Sequence, residues 1–166
     1  MCPKKTHLLL ILLSVHISIY AQTIDSLYIK LALGLRAIQD ERYVDAWGNL
    51  KYYIDNAPIE EKETTNYTQA AANYRKAIGE INKKRKVCYK EAVKAKEQGQ
   101  QNQLDSLCQD YLRLCVQDDS KKTFEYTFAL TQHAMKRHRK GDTNECLLCL
   151  NKVLEIRHSS HLIDSI

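Results

Sequence analysis

Apolar residues recur every three or four positions along most of this chain, in six runs separated by short polar stretches, and that spacing predicts helices. Ile24, Leu27, Tyr28, Leu31, Leu35 and Ile38 mark one face of a first helix, and Gln39 to Arg42 form a polar turn. Tyr43, Ala46, Trp47, Leu50, Tyr53 and Ile54 mark a second helix, stopped at Asn56 and Pro58 because proline cannot continue a helix without a clash. So short a turn predicts that these two helices pack antiparallel. The third stripe runs from Tyr67 through Ala70, Ala71, Tyr74, Ala77, Ile78 and Ile81 to Cys88, Ala92 and Ala95. It predicts one helix from about Thr64 to Lys96, with the Lys83–Lys86 run as the place for a break. Leu104, Leu107, Cys108, Tyr111, Leu112 and Cys115 give a fourth helix after a turn at Gly99. A fifth follows Asp118-Asp119-Ser120, with Phe124, Phe128, Thr131, Met135 and His138 on its face. Gly141-Asp142 is the next turn, and Asp142 with Glu145 has capping-box spacing. The sixth helix carries Cys146, Leu150, Val153 and Leu154, and residues 159–166 read as a flexible tail.

Composition sharpens this picture. Five glycines and two prolines leave too few turn residues for an all-β fold, so the expected class is all-α. The first residues differ from the rest. Lys4 and Lys5 precede an unbroken apolar run from Leu8 to Leu13, extended by Val15, Ile17 and Ile19, and Ala21 offers a small residue before Gln22. The run is short for a membrane span, so residues 1–21 read as a secretory signal cleaved after Ala21, with an uncleaved anchor as the rival. Cys2 precedes the apolar run and cannot be the lipidated cysteine that follows a lipoprotein signal. The mature chain, 22–158 plus the tail, then has no membrane span and is expected in the periplasm or outside the cell.

The formal charge of +5 is unevenly spread. Arg75 to Lys96 holds nine Lys or Arg against Glu80 and Glu91, whereas Asp25 to Glu63 leans acidic.

The first helix pair resembles a tetratricopeptide repeat. That family pairs a small residue midway along one helix with another early in the next, followed by a large residue and then a proline. Gly34, Tyr43, Ala46, Leu50 and Pro58 fall at those spacings. Ala134, Gly141-Asp142, Cys146, Leu150 and Val153 repeat the pattern, with His158 where proline is usual, and Ala92, Gly99, Cys108 and Leu112 echo it more faintly. The small first-helix residues are 58 apart from Gly34 to Ala92 and 42 apart from Ala92 to Ala134, not the family's period of about 34. The resemblance implies antiparallel hairpins stacked as a short, degenerate array, an irregular bundle of hairpins being the alternative. Gly34 and Ala46 would let the first two helices approach closely.

No catalytic constellation emerges. The chain has no Gly-x-Ser-x-Gly elbow and no glycine-rich phosphate loop. Cys146-x-x-Cys149 with His158-x-x-His161 has the ligand types of a zinc site, but both cysteines fit better as small core residues of the last helix, so no metal and no cofactor are expected. His133 and His138, amid Lys136, Arg137, Arg139 and Lys140, read as surface histidines. Lys83, Lys84, Arg85 and Lys86 are candidates for an acidic partner rather than nucleic acid, which an exported protein rarely meets. Tyr52, off its helix's apolar stripe beside Tyr53, is the other candidate contact. The expected function is an exported interaction module or scaffold that docks another protein by an acidic surface or extended segment. The alternative is a metal- or redox-active protein built on Cys146, Cys149, His158 and His161.

Overall fold

The computed structural model describes residues 25–163, with side chains to Ser159, and so leaves the signal segment and its cleavage point outside the described residues. Six α-helices follow one another, and no strand occurs among the described residues. They are α1 (25–39), α2 (Tyr43–Asn56), α3 (Thr65–Glu97), α4 (Gln101–Leu114), α5 (Phe124–Arg139) and α6 (Thr143–Ile163). A 3₁₀ turn at Ile59–Glu63 precedes α3, and another at Asp118–Lys122 precedes α5. No helix is long and apolar enough to cross a membrane among the described residues.

The basic run at Lys83–Lys86 does not break α3. Lysine, arginine, alanine and glutamate all favour the helix, and Gly79 alone costs only about 1 kcal/mol. The start of α5 lies further on than its acidic run suggested. Asp118-Asp119-Ser120 forms the 3₁₀ turn, and Thr123 caps α5 by accepting from Tyr126 N–H at 3.2 Å. Helix α6 continues to Ile163, into the stretch read as a tail, because no glycine or proline stops it.

Three helix-to-helix turns share one geometry. Arg42 N–H donates to the Ala37 carbonyl (2.8 Å) and Glu41 N–H to that of Ile38 (3.3 Å), the paired bonds of a Schellman motif. Gln100 and Gly99 repeat the pattern on Ala95 and Lys96, and Asp142 and Gly141 repeat it on Arg137 and His138. The central residue is left-handed each time: Glu41 at φ 56°, Gly99 at 69° and Gly141 at 78°. These positions stand 58 and 42 apart, the same intervals that separate Gly34, Ala92 and Ala134. The bounds of α4 are those of α2 shifted by 58, and the second 3₁₀ turn is the first shifted by 59.

The chain forms two compact units, one ending at Gly79 and the other beginning at Glu80. In the first, Leu27, Leu31, Ala37, Ile38, Ala46, Leu50, Tyr53, Ala70 and Ala77 make a buried core. Leu50 bounds Gly34 most tightly: a Cβ there would lie 2.6 Å from Leu50 Cγ. In the second, Ala92, Ala95, Leu104, Cys108, Tyr111, Cys115, Tyr126, Ala129, Leu130, Ala134, Cys146, Cys149 and Val153 are buried together.

The face expected for α5 needs correction. Phe124 and Met135 are exposed, and Tyr126, Thr127, Ala129, Leu130, Gln132 and Ala134 are buried instead, because α5 packs against both α4 and α6 and has two inward faces.

Candidate functional site

The sequence candidates scatter. Tyr52 is exposed on α2, with the Lys30 ammonium 5.8 Å from its ring centre. Lys83 pairs with Glu80 at 2.6 Å, and Lys83, Lys84 and Lys86 are exposed. Arg85 is half-buried, and with Lys86 it lines a cavity of about 240 Å³ together with Tyr89, Tyr111, Thr123 and Glu125. So two members of the basic run converge on one pocket. Burial pushes the Tyr111 hydroxyl up to about 12, with Thr123 beside it as a hydrogen-bond partner and Arg85 as an opposing positive charge.

A counterpart pocket in the first unit escaped the sequence pattern. Leu27, Tyr28, Tyr53, Pro58 and Glu61 line it. Both tyrosine hydroxyls donate to the Glu61 carboxylate, Tyr53 to Oε1 and Tyr28 to Oε2 at 3.1 Å. The Thr64 hydroxyl lies 3.2 Å from the same group while donating to the Glu61 carbonyl at 2.7 Å. The hydrogen bond from Tyr53, helped by those from Tyr28 and Thr64, holds Glu61 below the ordinary carboxylate range. Glu61 carries no mark in the sequence that singles it out from Glu60 or Glu63.

The cysteines take core places. Cys108, Cys115, Cys146 and Cys149 are buried, Cys88 is half-buried, and no two are bonded. Burial raises the thiols of Cys88, Cys115 and Cys149, and carries Cys108 up to about 12. His158 is exposed on α6, and the His161 side chain lies outside the described residues.

Cys149 instead gathers with His133 and Glu145, one ligand atom from each lying within 4.8 Å of the others. His133 is half-buried rather than a surface residue, and its Nδ1 is buried without a hydrogen-bond partner. A metal ion could take that Nδ1 with the thiolate and carboxylate at about 2.0–2.3 Å. Such an ion would, however, leave the proton on Nε2, which now accepts from Arg137 Nε at 3.3 Å, so two donors would face each other. The i, i+4 spacing of Glu145 and Cys149 on α6 was readable, but nothing in the sequence points from them to His133 on α5.

Helix α6 presents a second kind of site. Cys146, Cys149 and Val153 form its buried stripe, yet Leu147, Leu150 and Leu154 form another at the same spacing and are 54%, 37% and 64% exposed. Leu150 also lines an apolar cavity of about 380 Å³ with Ala134, Met135, His138, Arg139 and Cys146. Its equivalents Leu50 and Cys108 are fully buried. Leu150 and Leu154 were expected on the core face. They miss it because the two smaller cysteines occupy that face. No family model, no curated protein and no solved structure matches the chain.

Proposed function

We propose that this chain is an exported helical-hairpin module, akin to a tetratricopeptide array, whose work is to hold another protein. The observation that carries the reading is the exposed leucine stripe of α6, Leu147, Leu150 and Leu154, continued by Met135 on α5. Clustered large apolar side chains on a surface mark a place where a partner excludes water. Helical hairpins present such faces to partner helices or extended segments. The tetratricopeptide character is supported by three turns of one geometry and by Gly34 lying against Leu50, although the intervals of 58 and 42 depart from that family's period. Fold by itself names no partner.

Export rests on Lys4, Lys5, the Leu8–Leu13 run and Ala21. Intact mass of the protein recovered from the envelope or medium should correspond to a chain beginning at Gln22. Retention of residues 1–21 would replace the free module with an anchored one. For the docking face, a photo-reactive residue at position 154 should give a defined protein adduct in the producing cells, and one at position 51 should not. Equal labelling from both positions would remove the α6 stripe as the docking face.

A further inference from the structure

The two pockets described above share three lining positions in two hairpins of like geometry. A shift of 58 carries Leu27 to Arg85, Tyr28 to Lys86, Leu31 to Tyr89 and Tyr53 to Tyr111. A shift of 59, set by the 3₁₀ turns, carries Glu61 to Ser120 and Thr64 to Thr123. The capping bonds agree: Thr64 and Thr123 accept from Tyr67 and Tyr126 N–H at 3.2 Å each, and their hydroxyls donate to the carbonyls of Glu61 and Ser120.

The contents differ in a complementary way. The first pocket holds its own carboxylate, Glu61, between two tyrosine hydroxyls and a threonine. In the second, Ser120 stands where Glu61 would, and its hydroxyl turns back to the Gln117 carbonyl. The apolar Leu27 and neutral Tyr28 are replaced by two cations, while the tyrosine and threonine are kept. The space left is about 240 Å³ against about 70 Å³ in the first pocket. Glu125 also lines it, but neither Arg85 nor Lys86 forms an ion pair among the described residues.

We propose that the pocket of Arg85, Lys86, Tyr89, Tyr111 and Thr123 binds a carboxylate from an acidic segment of a partner protein, in the manner in which the first unit binds its own Glu61. Arginine supplies a planar pair of donors suited to a carboxylate, lysine a second charge, and the hydroxyls of buried Tyr111 and half-buried Tyr89 and Thr123 fix its orientation. Glu61 argues for a carboxylate rather than a phosphate, since the same framework already holds one. The inference rests on the interaction-module reading but uses a different surface from the α6 leucines.

The test uses the mature chain and a fluorescein-labelled hexaglutamate peptide, acetylated and amidated, followed by anisotropy at low and moderate salt. Arg85→Gln should weaken binding tenfold or more, and Lys90→Gln, exposed on the same helix outside the lining, less than twofold. Ser120→Glu supplies the carboxylate internally and should abolish binding while the thermal midpoint holds or rises, which separates blockade from misfolding. A diglycine peptide with a free C-terminus shows whether the main-chain carboxylate suffices: binding there that Arg85→Gln weakens assigns the site to a chain end, and its absence assigns it to acidic side chains. Equal losses from Arg85→Gln and Lys90→Gln, displacement by inorganic phosphate at lower concentration than by acetate, or no binding at millimolar peptide would each overturn the proposal. If it falls while the position-154 adduct persists, the module reading stands without this pocket.

Discussion

Glu41 carries a side chain at a φ of 56° where its counterparts Gly99 and Gly141 carry none. The left-handed conformation costs an L-residue with a Cβ about 1 kcal/mol, while glycine adopts it freely at the expense of a more flexible unfolded chain. Glu41→Gly should therefore stabilise the protein slightly, by up to about 1 kcal/mol, and Gly99→Ala should destabilise it by about the same amount. Urea midpoints of the two variants should move in opposite directions. Gly34 is constrained in another way. Its neighbour Leu50 is fully buried, so an added Cβ cannot push it into solvent. Overpacking of that kind costs roughly 1–3 kcal/mol and outweighs the helix-propensity gain of about 1 kcal/mol. Gly34→Ala should be destabilising, whereas Gly48→Ala and Gly79→Ala, with nothing within 4 Å, should be stabilising. The need for a small residue at Gly34 was legible from its spacing to Ala46 and Pro58. That Leu50 would bound it most tightly was not, because a sequence interval fixes which turn faces the partner helix but not which side chain fills the gap.

Two elements should respond to acid in different pH ranges. The His133 imidazole, on α5, is pushed below its ordinary value by burial and then by Arg137 and Lys136. Folding therefore favours its neutral form, and the stability this contributes is present above the ordinary imidazole value. It is lost as pH falls from there through the depressed folded value, since the unfolded chain takes up the proton first. Glu61 is depressed by the hydrogen bonds it accepts, so its contribution survives to lower pH and is lost only as pH falls through and below the ordinary carboxylate range. Thermal midpoints measured from neutral to acid pH should show both declines. His133→Gln should remove the upper one and Glu61→Gln the lower. The His133 environment also bears on metal binding. Arg137→Gln would give Nε2–H an acceptor in place of a donor, so zinc should raise the thermal midpoint of that variant more than that of the native chain. An equal response would show that Arg137 does not guard the site. Element boundaries were largely legible in the sequence, because proline, Asp142 and the polar turns act over a few residues. The burial pattern of α5 was not, since a helix packed on two sides has no single apolar stripe to read.

At the scale of the molecule, the all-α class and the helix order followed from periodicity, and the hairpin intervals were present as residue spacings before their common turn geometry was visible. The pairing of Glu61 with Tyr28 and Tyr53, and of Arg85 with Tyr111, was hidden because these contacts join separate helices. The five cysteines among residues 25–163 carry a consequence for how such a chain must be made. In the native state four are buried, and at Cys108, Cys115 and Cys149 burial makes thiolate, the reactive form, scarce. Unfolded, all five would ionise normally and meet one another freely. In an oxidising compartment the chain is thus in a race, and the hairpins must close before oxidation pairs their thiols. Brief alkylation of the folded protein should modify Cys88 first, as the half-buried member of the set. Refolding from denaturant should recover more native protein with reductant than with an oxidised glutathione buffer. Once folded, the same protein should keep its thiols free for far longer than folding took, because the buried ones can react only when the hairpins open.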